Sequence, residues 1–403
     1  MRKFDINKSS TSEIVSKTVA ALSPILNLKR KEQYNALRLL LLNLYYDDEI
    51  IIERAKKSYG SNRYNPSSIG YSSIITVLDN LTVQRYIEQI IGSIKGGDRK
   101  RTTIKRTKKL ESTFIEYDWY TNGQVNHWVR EIYSPNQNPE TIILRKKGTK
   151  SKTLIDYEDT AITNAMRKDM KAYNQLIQQY EISVPNYNES DNAYDYQGEP
   201  IARMFSVIDG EVDTFKYGGR LYASWCDLSK EMRARIQIDG EETIEEDFQA
   251  SSINTLYRHL TGKIYQYGDP YQLSINDITI PRSFVKQLST MIFFNNTIQK
   301  LGLALKKHYE QEEKDTVKIS DYQFSINQFK IKEIVNAYQL KHKVISDYFM
   351  KDKQTGHHIQ FLESELVMNV INNLTKLEIP VLTIYDSFIV QSRHRDLLLK
   401  HMY

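Results

Sequence analysis

Apolar residues recur at helical spacing in the first part of the chain and then give way to an alternating pattern. The spacing predicts one helix within residues 29–46, a second near residues 48–58 and a third after Pro66. Residues 86–91 alternate weakly, as a strand does, and Gly96-Gly97-Asp98 ends that pattern. The apolar positions of the first and third helices are Leu37, Leu40, Leu41, Leu44, Ile74, Ile75, Leu78 and Leu81.

Three helices followed by a strand, a turn and a second strand are the order of a winged helix-turn-helix. We therefore predict such a DNA-binding domain at residues 1–110, with its third helix in the major groove and its hairpin on phosphates. The polar face of the third helix offers Ser72, Ser73, Thr76 and Asn80. A helical packing domain with a charged hairpin is the alternative.

The remainder of the chain predicts a connecting segment and a larger mixed domain. Residues 111–155 carry strand-like pieces, residues 157–181 a long polar helix, and residues 183–199 a loop or linker. We expect a connecting, thumb-like segment at residues 111–199 and a second domain at residues 200–403. The predicted fold class is α+β.

Charge is distributed unevenly along the chain. The net charge is +5, but residues 1–110 hold 21 Lys and Arg against 10 Asp and Glu. This asymmetry indicates a polyanionic partner, although a solvated basic face is an equal alternative. The candidate nucleic-acid-binding residues of the densest basic run are Lys95, Arg99, Lys100, Arg101, Lys105 and Arg106.

Composition excludes several other classes of protein. A single cysteine, Cys226, excludes a disulfide scaffold and a cysteine-rich zinc site. The longest aliphatic run, residues 39–42, is far too short to cross a membrane, and the N-terminus has no apolar signal core. We expect a cytoplasmic protein with no membrane partner. No Gly-x4-Gly-Lys-Ser/Thr loop of an ATP motor occurs.

Two aspartates stand within or beside β-rich runs. Asp247 follows Ile244-Glu-Glu, and Asp386 interrupts the strongly apolar residues 379–390. A buried carboxylate is costly unless it is paired or binds a metal. Two such aspartates brought together could hold two Mg²⁺ ions for in-line phosphoryl displacement. An Asp in a hairpin turn is the ordinary explanation of either segment alone.

A cationic and aromatic pattern lies between the two aspartates. Arg282, Lys286 and Phe294 are predicted to share one drifting face of a helix, where cations would bind a triphosphate and the ring would stack on a base. A solvated Arg/Lys pair with a core Phe is the alternative. Upstream, Gly218-Gly219 precedes Arg220, and paired glycines let backbone approach a ligand closely.

In their order, these segments resemble the palm and fingers of family A DNA polymerases and single-subunit phage-type RNA polymerases. Asp247-Phe248 resembles the first catalytic motif, Arg282-x3-Lys286-x7-Phe294 the fingers helix, and Tyr385-Asp386-Ser387 the His-Asp-Ser/Glu motif. Gly219-Arg220 resembles the element ahead of the palm that contacts the template–product duplex. The resemblance covers residues 200–403, and the usual histidine is replaced here by Tyr385.

The resemblance implies a right-hand palm with inserted helical fingers and a two-metal nucleotidyltransferase. Asp247, Asp386 and the Phe248 carbonyl would bind the metals. Ser252 occupies the place where a glutamate in the DNA polymerases blocks a 2′-hydroxyl, and its small side chain is closer to the RNA polymerases. The implied partners are a DNA template, a primer or product strand, and nucleoside triphosphates.

The function expected from the sequence is template-directed nucleotidyl transfer. The enzyme would be a compact DNA polymerase, primase-polymerase or RNA polymerase, suited to DNA replication in a phage or other mobile element. The alternative is a DNA-binding replication initiator or regulator whose palm-like half is not catalytic.

Overall fold

The protein is a mixed α and β chain, seen here in a computed structural model. The structure describes residues 2–59, 63–65, 67–95, 98–99, 101–121, 124–125, 139–147, 152–185, 194–196, 198–208, 215–311, 316–352 and 354–403. Within these ranges the helices are α1 Glu13–Ile25, α2 Lys31–Tyr46, α3 Tyr71–Val83, α4 Lys108–Glu116, α5 Ala161–Ile177, α6 Lys230–Arg233, α7 Ser251–Thr261, α8 Arg282–Met291, α9 Ile298–Gln311, α10 Thr316–Gln328, α11 Ile331–Lys341, α12 Thr355–Lys376 and α13 Arg395–Met402.

The strands are mostly short. Within the same ranges they are β1 Arg2–Lys3, β2 Glu49–Ile51, β3 Ile87–Ile90, β4 Ile94–Lys95, β5 Asp98–Arg99, β6 Thr103–Arg106, β7 Tyr120–Thr121, β8 Gln124–Val125, β9 Ile142–Lys147, β10 Lys152–Leu154, β11 Ile182–Val184, β12 Tyr194–Asp195, β13 Ala202–Val207, β14 Gly218–Tyr222, β15 Gln237–Ile238, β16 Glu241–Asp247, β17 Leu273–Ile275, β18 Ile278–Ile280, β19 Leu382–Ile384 and β20 Ser387–Gln391.

The chain forms two compact units. The first unit comprises residues 1–143, 150–170 and 194–202, and the second comprises residues 144–149, 171–193 and 203–403. In the first unit, Leu39 to Leu42 are all buried, so this turn of α2 is covered on every side and lies within the core. Trp119 joins this core, and its indole nitrogen donates to Thr18 at 2.8 Å.

The segment after α2 differs from the prediction. Residues 48–58 do not form a second helix: they contain β2 and a short 3-10 turn at Lys56–Tyr59. Ile50, Ile51 and Ile52 are β-branched, which favours a strand, and β2 pairs with β6. The sheet has the strand order β1-β2-β6-β3, and the predicted strand at residues 86–91 is β3.

The second unit is built on an antiparallel sheet with the strand order β11-β15-β16-β20-β19. β19 is buried along its whole length, and Trp225 donates to the Thr383 carbonyl at 3.1 Å, which anchors it. Helices α8 to α11 stand in sequence between β16 and β20 and share an apolar core with α7. The long helix α12 packs on β14.

Candidate active site

The two predicted aspartates come together although 139 residues separate them in the sequence. β16 and β20 are antiparallel neighbours, and their register pairs Asp247 with Ser387, the residue after Asp386. The Phe248 amide donates to the Asp386 carbonyl at 3.3 Å. Asp247 is exposed and Asp386 is half-buried. Both carboxylates are therefore presented at one end of the same strand pair.

Asp386 sits in a strained turn. Ile384 pairs with Ser387, so Tyr385 and Asp386 form a two-residue hairpin loop. Tyr385 has φ +59°, a left-handed conformation that a bulky side chain rarely adopts. Glycine or asparagine is the usual choice at such a position. A tyrosine held here stores backbone strain beside Asp386.

The environment of Asp386 opposes a negative charge. Burial raises the pKa of the Asp386 carboxyl above its usual range, and the nearby carboxylates of Glu363 and Asp247 raise that pKa further. Arg220 opposes this shift. Neither aspartate forms an ion pair with a side chain in the described part of the chain. Such a carboxylate pair is stabilised by a cation.

Glu363 is a buried carboxylate beside the aspartates, and it is absent from the residues predicted from the sequence. Its Oε2 accepts from Arg220 at 3.0 Å, and its Oε1 accepts from Ser252 at 2.7 Å and from Ser251 at 3.1 Å. A signal for it exists in the sequence. Glu363 stands four residues from Ile359 and Val367, so it lies on the apolar face of α12.

The Gly-Arg element is held against α12 by close packing. Gly219 has φ +81°, and a Cβ there would lie 2.5 Å from the Ser364 hydroxyl oxygen. The buried Arg203 guanidinium donates to the Gly219 carbonyl at 3.1 Å and to Ser364 at 3.0 Å, and it pairs with Glu365. Only glycine permits this approach, which brings Arg220 to Glu363.

The predicted fingers residues are arranged differently from the expectation. Arg282 and Lys286 are both exposed, one turn apart on α8. The helix ends at Met291, so Phe294 lies in the following turn and does not continue the helical face. Its ring instead packs on Gly356, where a Cβ would collide with it, and meets His357 edge-on at 5.5 Å. The prediction assumes a helical rotation of 100° per residue up to Phe294, and this rotation does not apply beyond Met291, where α8 ends.

Tyr271 links α8 to the carboxylates. Burial raises the pKa of Tyr271 to about 12, with Arg282 opposing and Asp386 contributing to the shift. The Arg282 guanidinium lies 5.2 Å from the centre of the Tyr271 ring and its Nε donates to Asp269 at 2.5 Å. Arg282, on α8, and Asp386, in the hairpin loop, therefore both influence the pKa of the Tyr271 phenol, in opposite directions.

The basic hairpin of the first unit contains both structural and exposed cations. Arg106 donates to the carbonyls of Leu44 and Tyr45, both at 3.1 Å, and pairs with Asp48, so it caps the end of α2. Arg101 and Lys105 are exposed. Lys100 lies outside the described residues, as do the side chains of Lys95 and Arg99.

The outward face of α3 is not basic. Ser73 is buried and donates to Glu32 at 3.0 Å, and Asn80 donates to the Leu26 carbonyl at 2.8 Å. Both of these polar groups hold the unit together. Asp79 is exposed on the same helix and pairs with Arg54 at 2.9 Å. The sequence of α3 itself contains no Lys or Arg.

The carboxylate pair suits Mg²⁺ bound together with a substrate. Mg²⁺ is usually held by one or two carboxylates, with substrate phosphates and water completing its octahedron. Among the residues that the structure describes, no three His, Cys, Asp or Glu side chains form a metal-binding group. Asp247 and Asp386 could hold such an ion with main-chain oxygen and phosphate ligands.

Comparison with protein-family models, with curated proteins and with solved structures finds no match to this chain. Among the described residues, no helix has both the length and the apolar character needed to span a bilayer.

Proposed function

We propose that the chain is a template-directed nucleotidyltransferase with a palm-like second unit and a winged-helix-like first unit. The observation that carries the proposal is the pairing of β16 with β20, which presents Asp247 and Asp386 together. Two carboxylates at one end of a strand pair, one at the end of β16 and one in the loop before β20, suit the transfer of a nucleotide from a triphosphate.

Each residue of the site has a role in this proposal. Asp247 and Asp386, with the Phe248 carbonyl, would hold two Mg²⁺ ions, which stabilise negative charge during in-line displacement. Arg282 and Lys286 are exposed and bind the triphosphate, while Phe294 offers a ring fixed by Gly356. In the reaction a 3′-hydroxyl oxygen bonds to the α-phosphorus, and pyrophosphate leaves.

Primer extension tests the function directly. The purified full chain is given a pre-annealed primer and template with Mg²⁺ and either deoxyribo- or ribonucleoside triphosphates. Template-dependent extension is expected with at least one set. Duplex binding without any incorporation, with or without a primer, would favour the replication initiator or regulator instead.

The first unit supports duplex binding through its hairpin. β2, which precedes α3, pairs with β6, and β6 pairs with β3, which follows α3; this antiparallel arrangement supports the proposal of a winged-helix-like unit, to which β1 adds a parallel edge strand. Because α3 carries no basic side chain, we propose that the hairpin contacts phosphates and that base reading is weak.

Replacement of the exposed hairpin cations tests this binding mode. Arg101→Ala with Lys105→Ala should lower duplex affinity for all sequences alike. The dependence of log affinity on log salt should become shallower by about one for each phosphate that is no longer neutralised. The matched control is Lys17→Ala, an exposed cation on α1. An unchanged slope in the double variant would show that the hairpin is only a solvated face.

The sugar preference follows from the short side chain of Ser252. We propose that ribo- and deoxyribonucleotides are discriminated by no more than about a hundredfold, because an open pocket rejects an added hydroxyl weakly. Glu363 accepts from Ser252 at 2.7 Å, so Ser252→Leu, rather than an acidic substitution, is the appropriate bulky variant. The ratio of kcat/KM for the two sugars is measured in both proteins. A wild type that rejects ribonucleotides by several orders of magnitude contradicts the proposal.

A further inference from the structure

Two guanidinium groups flank two adjacent tyrosine rings along a strip of the second unit that begins beside Asp386. The Arg220 guanidinium lies 5.1 Å from the centre of the Tyr385 ring, and Tyr385 meets Tyr222 edge-on at 6.2 Å. Arg145 then lies 5.6 Å from the centre of the Tyr222 ring. We call these four side chains, Arg145, Tyr222, Tyr385 and Arg220, the cation–tyrosine strip.

The backbone explains why the strip is continuous. Arg220 and Tyr222 are two residues apart on β14, so both side chains project from the same face. Tyr385 is supplied by the strained hairpin loop, and Arg145 by β9. The members of the strip come from three separate segments, so no sequence periodicity could have revealed it.

The strip is accessible, and its outer cation is not paired with any carboxylate that the structure describes. Tyr385 is 40% exposed, and Arg145, Tyr222 and Arg220 are half-buried. The Arg145 guanidinium donates instead to the Met204 sulfur at 2.8 Å. A partly covered guanidinium without a carboxylate is suited to a phosphate.

We propose that the cation–tyrosine strip binds an unpaired nucleic-acid strand next to the catalytic carboxylates, an inference that rests on the proposed function for its place in the reaction. In a duplex the bases are stacked on one another, so their faces are covered, whereas a single strand can stack its bases on aromatic rings. Tyr222 and Tyr385 provide the rings, and Arg145 contacts a phosphate at the outer end of the strip, whereas Arg220 stays paired with Glu363 and fixes the inner end.

Binding is measured on the full chain without Mg²⁺, using fluorescence anisotropy of labelled single-stranded oligo(dT) and, separately, oligo(rU). Tyr222→Ala should weaken the binding of at least one of these probes roughly tenfold or more, as loss of one stacked base does. Tyr222→Phe, which keeps the ring, should bind as the wild type does. Arg145→Gln should weaken binding and make its salt dependence shallower. Comparison of the two probes shows which sugar the strip accepts.

Tyr348→Ala is the matched control, because Lys351 lies 5.4 Å from the centre of its ring but the pair is not part of the strip. A blunt duplex is the control ligand, and its affinity should not change in Tyr222→Ala. Wild-type single-strand affinity in both Tyr222→Ala and Arg145→Gln overturns the proposal, as does an equal loss in Tyr348→Ala. If Tyr222→Ala does not fold, Arg145→Gln decides alone.

The two proposals fail separately. If single-strand binding depends on Tyr222 but the protein extends no primer, the proposed strip is supported and the polymerase function is contradicted. If the Tyr222→Ala protein extends primers and binds single strands as the wild type does, the polymerase function is supported and the proposed strip is contradicted.

Discussion

Asp386→Asn should abolish nucleotide incorporation and, without divalent cations, raise the midpoint of thermal unfolding. Activity should fall by roughly three orders of magnitude or more, since loss of a metal ligand removes several kcal/mol of transition-state stabilisation. Stability should rise because the Asp386 carboxylate is disfavoured by its burial and by Glu363 and Asp247. Asparagine has a similar shape and no charge.

The sign of the stability change follows from the raised pKa of Asp386. The folded protein holds the Asp386 proton more tightly than the unfolded chain does, so ionisation destabilises the fold as pH rises above the ordinary range near 3.8. This cost grows as pH rises above 3.8, and it is absent from the variant, which has no carboxyl group to ionise. The gain in unfolding midpoint should therefore shrink as pH is lowered through that range.

Thermal unfolding with and without Mg²⁺ separates a metal ligand from a structural carboxylate. Mg²⁺ should raise the unfolding midpoint of the wild type more than that of Asp386→Asn, because binding to the native state adds stability. The control is Asp277→Asn, an exposed carboxylate in the turn between β17 and β18. An Asp386→Asn protein with wild-type turnover would contradict the site.

The strands around Asp386 could be anticipated from the sequence because that aspartate stands in a strongly β-forming segment, whereas residues 241–247 are rich in Glu and the pairing with Asp247 is expected only from the resemblance. Residues 379–390 have the pattern of a buried strand, and the structure has β19 and β20 there around a two-residue loop. The helix predicted at residues 157–181 is α5, and the strand-like pieces before it are β9 and β10. Such elements have local signals in their composition and periodicity.

The rest of the site depends on contacts that no local pattern encodes. The prediction for Phe294 extends a helix past its end, whereas its position is set by Gly356, sixty-two residues later. Glu363 lies beside Asp386 only because α12 packs against β14. Residues 48–58 form a strand because β6 offers a partner, which outweighs a weak helical pattern.

Arg203 and Gly219 form the support on which these distant contacts depend. The Arg203 side chain is only 3% exposed, yet it carries a charge; its Nε donates to the Gly219 carbonyl, and its Nη2 donates to Ser364 and Glu365. Removing a partner from such a network leaves a buried charge without compensation. The geometry of Arg220 and Glu363 is therefore tied to a backbone approach that tolerates no side chain.

Gly219→Ala should destabilise the protein by about 3 kcal/mol or more and lower its activity further than the loss of folded protein explains. Two costs add: a left-handed conformation, and a methyl group 2.5 Å from the Ser364 hydroxyl oxygen and 3.0 Å from the Phe205 ring. Relief of that clash requires the side chains of Ser364, Phe205 and Arg203 to shift, which disturbs the network that holds β14 against α12 and places Arg220 beside Glu363.

Gly240→Ala isolates the conformational cost. Gly240 also has a left-handed φ, +73°, but a Cβ there would meet nothing within 4 Å. The Gly240→Ala variant should be destabilised by only about 1 kcal/mol and should incorporate nucleotides as the wild type does. Denaturant unfolding gives both free energies, and primer extension well below the unfolding midpoint gives both activities. Equal losses of stability in the two variants would mean that conformation alone requires glycine at 219, and that the contact between β14 and α12 does not position the site.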